Sequence, residues 1–109
     1  MESKPNLEEL YLKALENPLR RRILGYAIKR EKPLSPARIS EALDEELSLV
    51  SYHVRELRDH SLLILASTRP VRGSTEHFYT VDPVALAHPI VKALDKPANR
   101  PPDPEIEEA

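Results

Sequence analysis

The chain contains no cysteine. Disulfides, thiolate metal sites and cysteine nucleophiles are therefore excluded. The absence fits a reducing compartment, and the expected location is the cytoplasm. Long apolar runs are missing as well, since no stretch approaches the roughly 18 residues of a membrane helix. The N-terminal Met1-Glu2-Ser3-Lys4-Pro5 is polar where a secretory signal would be apolar. Neither a membrane nor an export signal is expected. Glycine occurs only twice. A glycine-rich phosphate loop, a nucleophile elbow and a paired-carboxylate setting are all absent, so no enzyme is expected.

What remains is 109 residues, 40% apolar and 31% charged, the composition of one soluble globular domain. A core of that size is only marginally able to stabilise itself. A partner surface is therefore expected, most simply a second copy. The net charge of −2 is unevenly spread. Residues 1–16 carry a net −2 and residues 95–109 a net −3, leaving twelve basic against nine acidic residues in between. The middle of the chain is mildly basic, and the position of the charge governs binding more than its total.

Hydrophobic spacing divides the chain into elements. Residues 6–16 read as a helix capped by Asn6, with Leu7, Leu10, Tyr11, Ala14 and Leu15 on one face. Asn17-Pro18 opens a second helix to about residue 31, beginning with the basic run Arg20-Arg21-Arg22. Ser35-Pro36 opens a third to about Leu43, with Ile39, Ala42 and Leu43 inward. Asp44-Glu45-Glu46 is short enough for a tight turn. A fourth helix runs from about Leu47 to His60 with Leu47, Val50, Val54 and Leu57 inward. Then the period changes. Residues 62–68 and 76–81 read as two strands joined by a basic, turn-rich segment holding Arg69, Arg72 and Gly73. Asp82-Pro83 caps a last helix to about Leu94, with Val84, Ala87, Val91 and Leu94 inward and Pro89 expected to kink or split it. Residues 1–5 are expected to be flexible, 6–94 to form the domain, and 95–109, with four prolines, to be a disordered acidic tail.

The expected fold is mainly α with a two-stranded β wing, in the order α-α-α-α-β-β-α: a winged helix-turn-helix. In that plan the helix at 35–43 holds the helix at 47–60, whose free face fits a DNA major groove. A projection about Val50 and Val54 places Ser48, Tyr52, Arg55 and Asp59 opposite the core. Ser51 and Arg58 lie on one flank, Leu49 and Glu56 on the other. Ser48, Ser51 and Tyr52 offer uncharged hydrogen-bonding groups, and Arg55 a fork suited to guanine or phosphate. Arg58, Arg69 and Arg72 suit phosphates.

The segments Leu19-Arg20-Arg21-Arg22-Ile23-Leu24, Ile39-Ser40-Glu41-Ala42-Leu43, Val50-Ser51-Tyr52-His53-Val54-Arg55-Glu56-Leu57 and Gly73-Ser74-Thr75-Glu76-His77-Phe78-Tyr79 together resemble ArsR-like winged-helix transcriptional regulators of bacteria and archaea. The similarity spans about residues 7–94. It implies double-stranded DNA as partner and a homodimer joined by the first and last helices. It carries DNA contact onto Ser48, Ser51, Tyr52, His53 and Arg55, and onto Arg69 and Arg72 in the wing. Such proteins often have glycine before the first wing strand. Here that position is Ser61, so the turn must be made with a Cβ, at some strain.

Metal sensing is common in that family, but a thiolate site is impossible here, and the last helix offers only Asp82 and His88. His53 and His60 stand about 10 Å apart along a helix and cannot share an ion unaided. No metal or cofactor is expected. The effector, the operator and the sign of regulation are not written in the residues. A second function class fits the same plan: a winged helix that binds protein instead of DNA, which Glu56 and Asp59 on the exposed face would suit.

Overall fold

The computed structural model describes residues 6–95. The segments expected to be flexible (1–5) and disordered (95–109) therefore lie outside the described residues, except Asp95, which closes a single 3-10 turn, Ala93–Asp95. The elements are α1 (Leu7–Ala14), α2 (Pro18–Arg30), α3 (Pro36–Leu43), α4 (Leu47–Asp59), β1 (Leu63–Val71), β2 (Ser74–Val81), α5 (Pro83–Leu86) and α6 (Pro89–Lys92).

Four helices begin with the same device, a capping side chain followed directly by proline. Asn17-Pro18, Ser35-Pro36, Asp82-Pro83 and His88-Pro89 open α2, α3, α5 and α6. The cap accepts an otherwise unpaired N–H, while proline has no N–H to satisfy and a φ already suited to helix. Asn6 caps α1 in a reciprocal box, its Oδ1 accepting from Glu9 N at 2.8 Å and Glu9 Oε1 accepting from Asn6 N at 3.3 Å. Asp44, with φ 56°, ends α3. The turn into α4 is tightened by Ser40 Oγ, which donates to the Glu45 carbonyl at 2.6 Å.

The core gathers Tyr11 of α1, Ile23 and Leu24 of α2, Ile39 of α3, Val50, Val54 and Leu57 of α4, and Val91 of α6. Each large apolar side chain buried there contributes about 1.5–3 kcal/mol relative to leaving it in water. Tyr11 also meets the His88 ring edge-on at 5.1 Å, tying α1 to the start of α6.

The hairpin is antiparallel, pairing Leu63 with Val81 at its base and Val71 with Ser74 at its tip. Arg72 and Gly73 form the two-residue turn with φ 36° and 78°. Both values are positive, as a turn matching the twist of the strands requires. A bulge between Leu65 and Ser67 interrupts the pairing. Only the base of the ribbon is buried, through Leu62, Leu63, Tyr79 and Val81. Leu34 adds a short third rung, exchanging backbone hydrogen bonds of 2.8 and 2.9 Å with Tyr79, and so fixes the wing to the α2–α3 connection. Ser61 takes φ 65°, the strained turn expected where glycine is missing.

Several expected inward positions are corrected. Pro89 splits the last helix, leaving α5 as a single short turn in which Ala85 is the buried residue, while Val84 is 61% exposed and Ala87 faces outward. Leu7 and Leu47 each stand at the first residue of their helix, a turn before the side chains that meet the core, and both are exposed. Ala42 is exposed too, because α3 seats itself through Ile39, with Leu43 half-buried beside it.

Candidate nucleic-acid interface

Helices α3 and α4 pack together, and the buried stripe of α4 is Val50, His53, Val54 and Leu57. That stripe sets what faces out. Ser48, Leu49, Tyr52, Arg55, Arg58 and Asp59 are exposed, with Ser51 and Glu56 half-buried at the flanks. Tyr52 is 47% exposed despite its size. The free side of α4 therefore carries the hydroxyls of Ser48, Ser51 and Tyr52 in its first two turns, beside the exposed Leu47 and Leu49. Arg55 makes no ion pair with any described residue, so its guanidinium is free for an outside acceptor.

His53 parts company with the other expected contact residues. It is 6% exposed and turned inward. Its Nδ1 accepts a hydrogen bond from Arg20 Nε at 3.0 Å, which requires Nδ1 to carry no proton. Burial, and then the Arg20 charge, hold its pKa below the usual 6.5, with Glu56 opposing. Arg20 reaches across from α2 and grips α4 at three points. Besides His53, it lies 3.9 Å from Glu56 Oε1 and 5.9 Å from the centre of the Tyr52 ring. Its side chain is only 14% exposed. The Arg20-Arg21-Arg22 run does not by itself announce this role. The available signal was the spacing 50, 53, 54, 57, which puts His53 on the core side and asks for a buried polar partner.

The other two arginines of the run are also structural. Arg21 donates to the Leu15 carbonyl at 2.7 Å, and Arg22 pairs with Glu45 at 2.8 Å while donating to the Leu43 carbonyl at 3.2 Å. Together they brace the connections that bound α2 and α3.

The remaining candidate cations fall into two kinds. Arg58 is held by the adjacent Asp59, through contacts of 2.9 and 3.1 Å, and that hydrogen bonding raises its pKa. Arg69 pairs with Glu76 directly across the hairpin at 2.9 Å and lies over the Phe78 ring. Arg72 differs. It occupies the apex of the wing, exposed, with no ionic partner among the described residues. A non-glycine residue there costs about 1–2 kcal/mol of backbone strain. The two unengaged guanidiniums of the expected set are thus Arg55 on the helix and Arg72 at the wing tip.

Two further histidines are engaged in structure. His60 Nδ1 lies 2.7 Å from the Glu56 carbonyl, and His88 Nδ1 caps α6 by accepting from Ile90 N at 3.2 Å. Among the described residues, no group of three His, Asp or Glu side chains is placed to hold a metal ion. Among the same residues, no helix is long and apolar enough to cross a membrane.

Comparison with known proteins agrees with this architecture. A helix-turn-helix domain family model matches residues 15–66, from the end of α1 to the bulge in β1. HlyU from Vibrio cholerae is similar in structure with a TM-score of 0.63 at 27% identity, over 86% of this chain and 94% of that one. The reduced form of the same protein gives 0.57 at 28% identity, over 82% and 81%. HlyU from Vibrio vulnificus, described as a transcriptional regulator, gives 0.53 at 27% identity, over 79% and 77%. No curated protein matches the chain. The chain has a winged helix-turn-helix fold related to that of the HlyU regulators.

Proposed function

We propose that this protein is a sequence-specific DNA-binding transcriptional regulator of the ArsR-like type, acting as a homodimer. The observation that carries the reading is the free face of α4. Its hydroxyl groups and Arg55, unpaired among the described residues, lie on the free side of a helix clamped from behind by Arg20. A major groove about 12 Å wide accepts such a helix. Ser48, Ser51 and Tyr52 meet base edges or backbone there, and Arg55 forks onto guanine or phosphate. Arg72 reaches the flanking backbone or the minor groove from the wing apex. Arg58 and Arg69 join as phosphate anchors by exchanging Asp59 and Glu76 for DNA, which lowers their net contribution. His53 acts by positioning the helix from inside.

The dimer reading rests on apolar side chains left uncovered on the first helix and near the last. Leu12 is 50% exposed on α1, with Leu7 beside the N-terminus, while Val84 and Leu86 stand exposed on α5. A two-fold dimer through these elements presents two copies of α4 to half-sites about one DNA turn apart. The similarity to HlyU proteins, one of them described as a transcriptional regulator, supports the same assignment.

A second reading has one specific observation in its favour. Leu47 and Leu49 are exposed on α4, close to Tyr52, as a protein-binding surface would have them. Selection of bound duplexes from a random pool separates the two. Enrichment of a pseudo-palindromic sequence supports the regulator. No enrichment, together with one stoichiometric protein partner, supports the interaction module.

A further inference from the structure

A second basic site lies away from the free face of α4. A cleft of about 490 Å³ opens between the end of α2, the outer side of α3 and the wing. Its walls carry Arg30, Lys32, Arg38 and Arg69 against one lining carboxylate, Glu41. Two rings, Tyr26 and Phe78, complete it. The chain has four tyrosines and one phenylalanine in all. Tyr11 and Tyr79 are buried in the core and Tyr52 is on α4, so both remaining rings are spent on this cleft.

Three of the four cations here are not consumed by the fold, the fourth, Arg69, being paired with Glu76 at 2.9 Å. Elsewhere Arg20, Arg21, Arg22 and Arg58 are tied to carboxylates, carbonyls or His53. The side chains of Arg30, Lys32 and Arg38 make no hydrogen bond or ion pair with any described residue. Arg30 lies over Tyr26 at 6.0 Å and Arg69 over Phe78 at 5.5 Å. Arg30, at the edge of cation–π range, keeps its N–H edge free to fork onto an anion, whereas Arg69 already donates to Glu76 Oε1 at 2.9 Å. The cluster already holds one anion. The Ser35 hydroxyl, then Arg69, keep the Glu76 carboxyl below its usual range, with the Arg38 charge adding to the effect. Four cations against Glu41 and Glu76 leave room for two more negative charges.

We propose that this cleft is a phosphate-binding site, taking a dianionic phosphate monoester whose planar organic group stacks on Tyr26 or Phe78 or, in the source that rests on the proposed DNA binding, two neighbouring monoanionic phosphates of a DNA backbone. The chemistry is common to both sources: bidentate arginine contacts to phosphate oxygens, with Lys32 as a point charge. A volume near 490 Å³ suits a small ester. An occupant competes with Glu76 for Arg69 and touches both the wing and α3.

The test is calorimetric titration of the full chain with phenyl phosphate and with inorganic phosphate at constant ionic strength. Phe78, the only phenylalanine, supplies a local NMR probe. One saturable site that shifts the Phe78 ring resonances is expected, with phenyl phosphate the tighter ligand. Arg30→Ala and Arg38→Ala should each weaken it by about tenfold or more, the loss of one charged hydrogen bond. Both residues are exposed, and unchanged melting curves confirm that the variants fold. If neither phosphate saturates but the same variants weaken duplex binding and flatten its salt dependence, the phosphate is that of DNA and the site stands. If neither phosphate saturates and both variants bind duplex like the wild type, the proposal is overturned. The titrations contain no DNA, so they succeed or fail independently of the reading of α4.

Discussion

Replacing Arg20 by alanine should cost the fold about 2 kcal/mol, although the side chain lies outside the apolar core. The Nε–His53 bond contributes about 1 kcal/mol, and its loss leaves His53 Nδ1 buried without a partner. The contact with Glu56, at 3.9 Å and partly open to water, adds a few tenths. The Tyr52 ring at 5.9 Å is at the edge of cation–π range and adds about 0.5 kcal/mol. The 3.5 Å approach to the Ala14 carbonyl is too long to count. For a domain of this size, about 2 kcal/mol lowers the melting temperature by about 8–16 °C. Arg20→Lys keeps the charge but not the fork, and should recover less than half of the loss. Thermal and urea unfolding near pH 7.5 measure both, and a cycle with His53→Phe isolates the pair, with an expected coupling of about 1 kcal/mol. A destabilisation under about 0.5 kcal/mol, or additivity within about 0.3 kcal/mol, would refute the clamp.

Three further outcomes follow from the same geometry. His53 is held neutral, with a folded pKa below 6.5, so its contribution is complete above that pH and is lost as pH falls towards the folded value; unfolding midpoints should drop between about pH 7.5 and 5.5 in the wild type and drop less in His53→Phe. Arg72→Gly relieves positive-φ strain and should stabilise the chain by about 0.5 kcal/mol, after allowing for glycine's extra chain entropy. The same change removes a phosphate contact, so the slope of log affinity against log salt should shrink by about 0.9 per protomer; a loss of stability, or an unchanged slope, counts against the wing assignment. Leu12→Glu with Val84→Glu should give a folded monomer by sedimentation at tens of micromolar, whereas a persisting dimer places the interface elsewhere.

What was legible in the residues was the local chemistry. Asn17-Pro18, Ser35-Pro36 and Asp82-Pro83 announce helix starts because a cap and a proline act within one turn. Gly73 after Arg72 marks the hairpin turn, and the register that turn imposes places Arg69 opposite Glu76, a pairing that counting outward from it would have found. Long-range features were not legible. Nothing near Arg20 in sequence points to a histidine 33 residues away. The Leu34–Tyr79 rung depends on where the wing comes to rest after α4. A single period over Pro83–Leu94 points Val84 and Ala87 inward, whereas α5 ends at Leu86 and His88 caps a separate helix with its own phase. Within the site, outward-facing Ser48, Tyr52 and Arg55 came from simple periodicity. The family pattern puts His53 with them, whereas the spacing of Val50, His53, Val54 and Leu57 buries it.

The proposed regulator reads DNA sequence through the free face of α4. The most direct test is fluorescence anisotropy on the duplex recovered by selection and on a scrambled duplex of the same length, near 0.15 M salt. The wild type should prefer the selected duplex by about 10³-fold or more. Arg55→Ala should lose about 1–3 kcal/mol of that discrimination while keeping its fold. Equal affinity for both duplexes, or a preference untouched by Arg55→Ala, would show that α4 does not read the sequence.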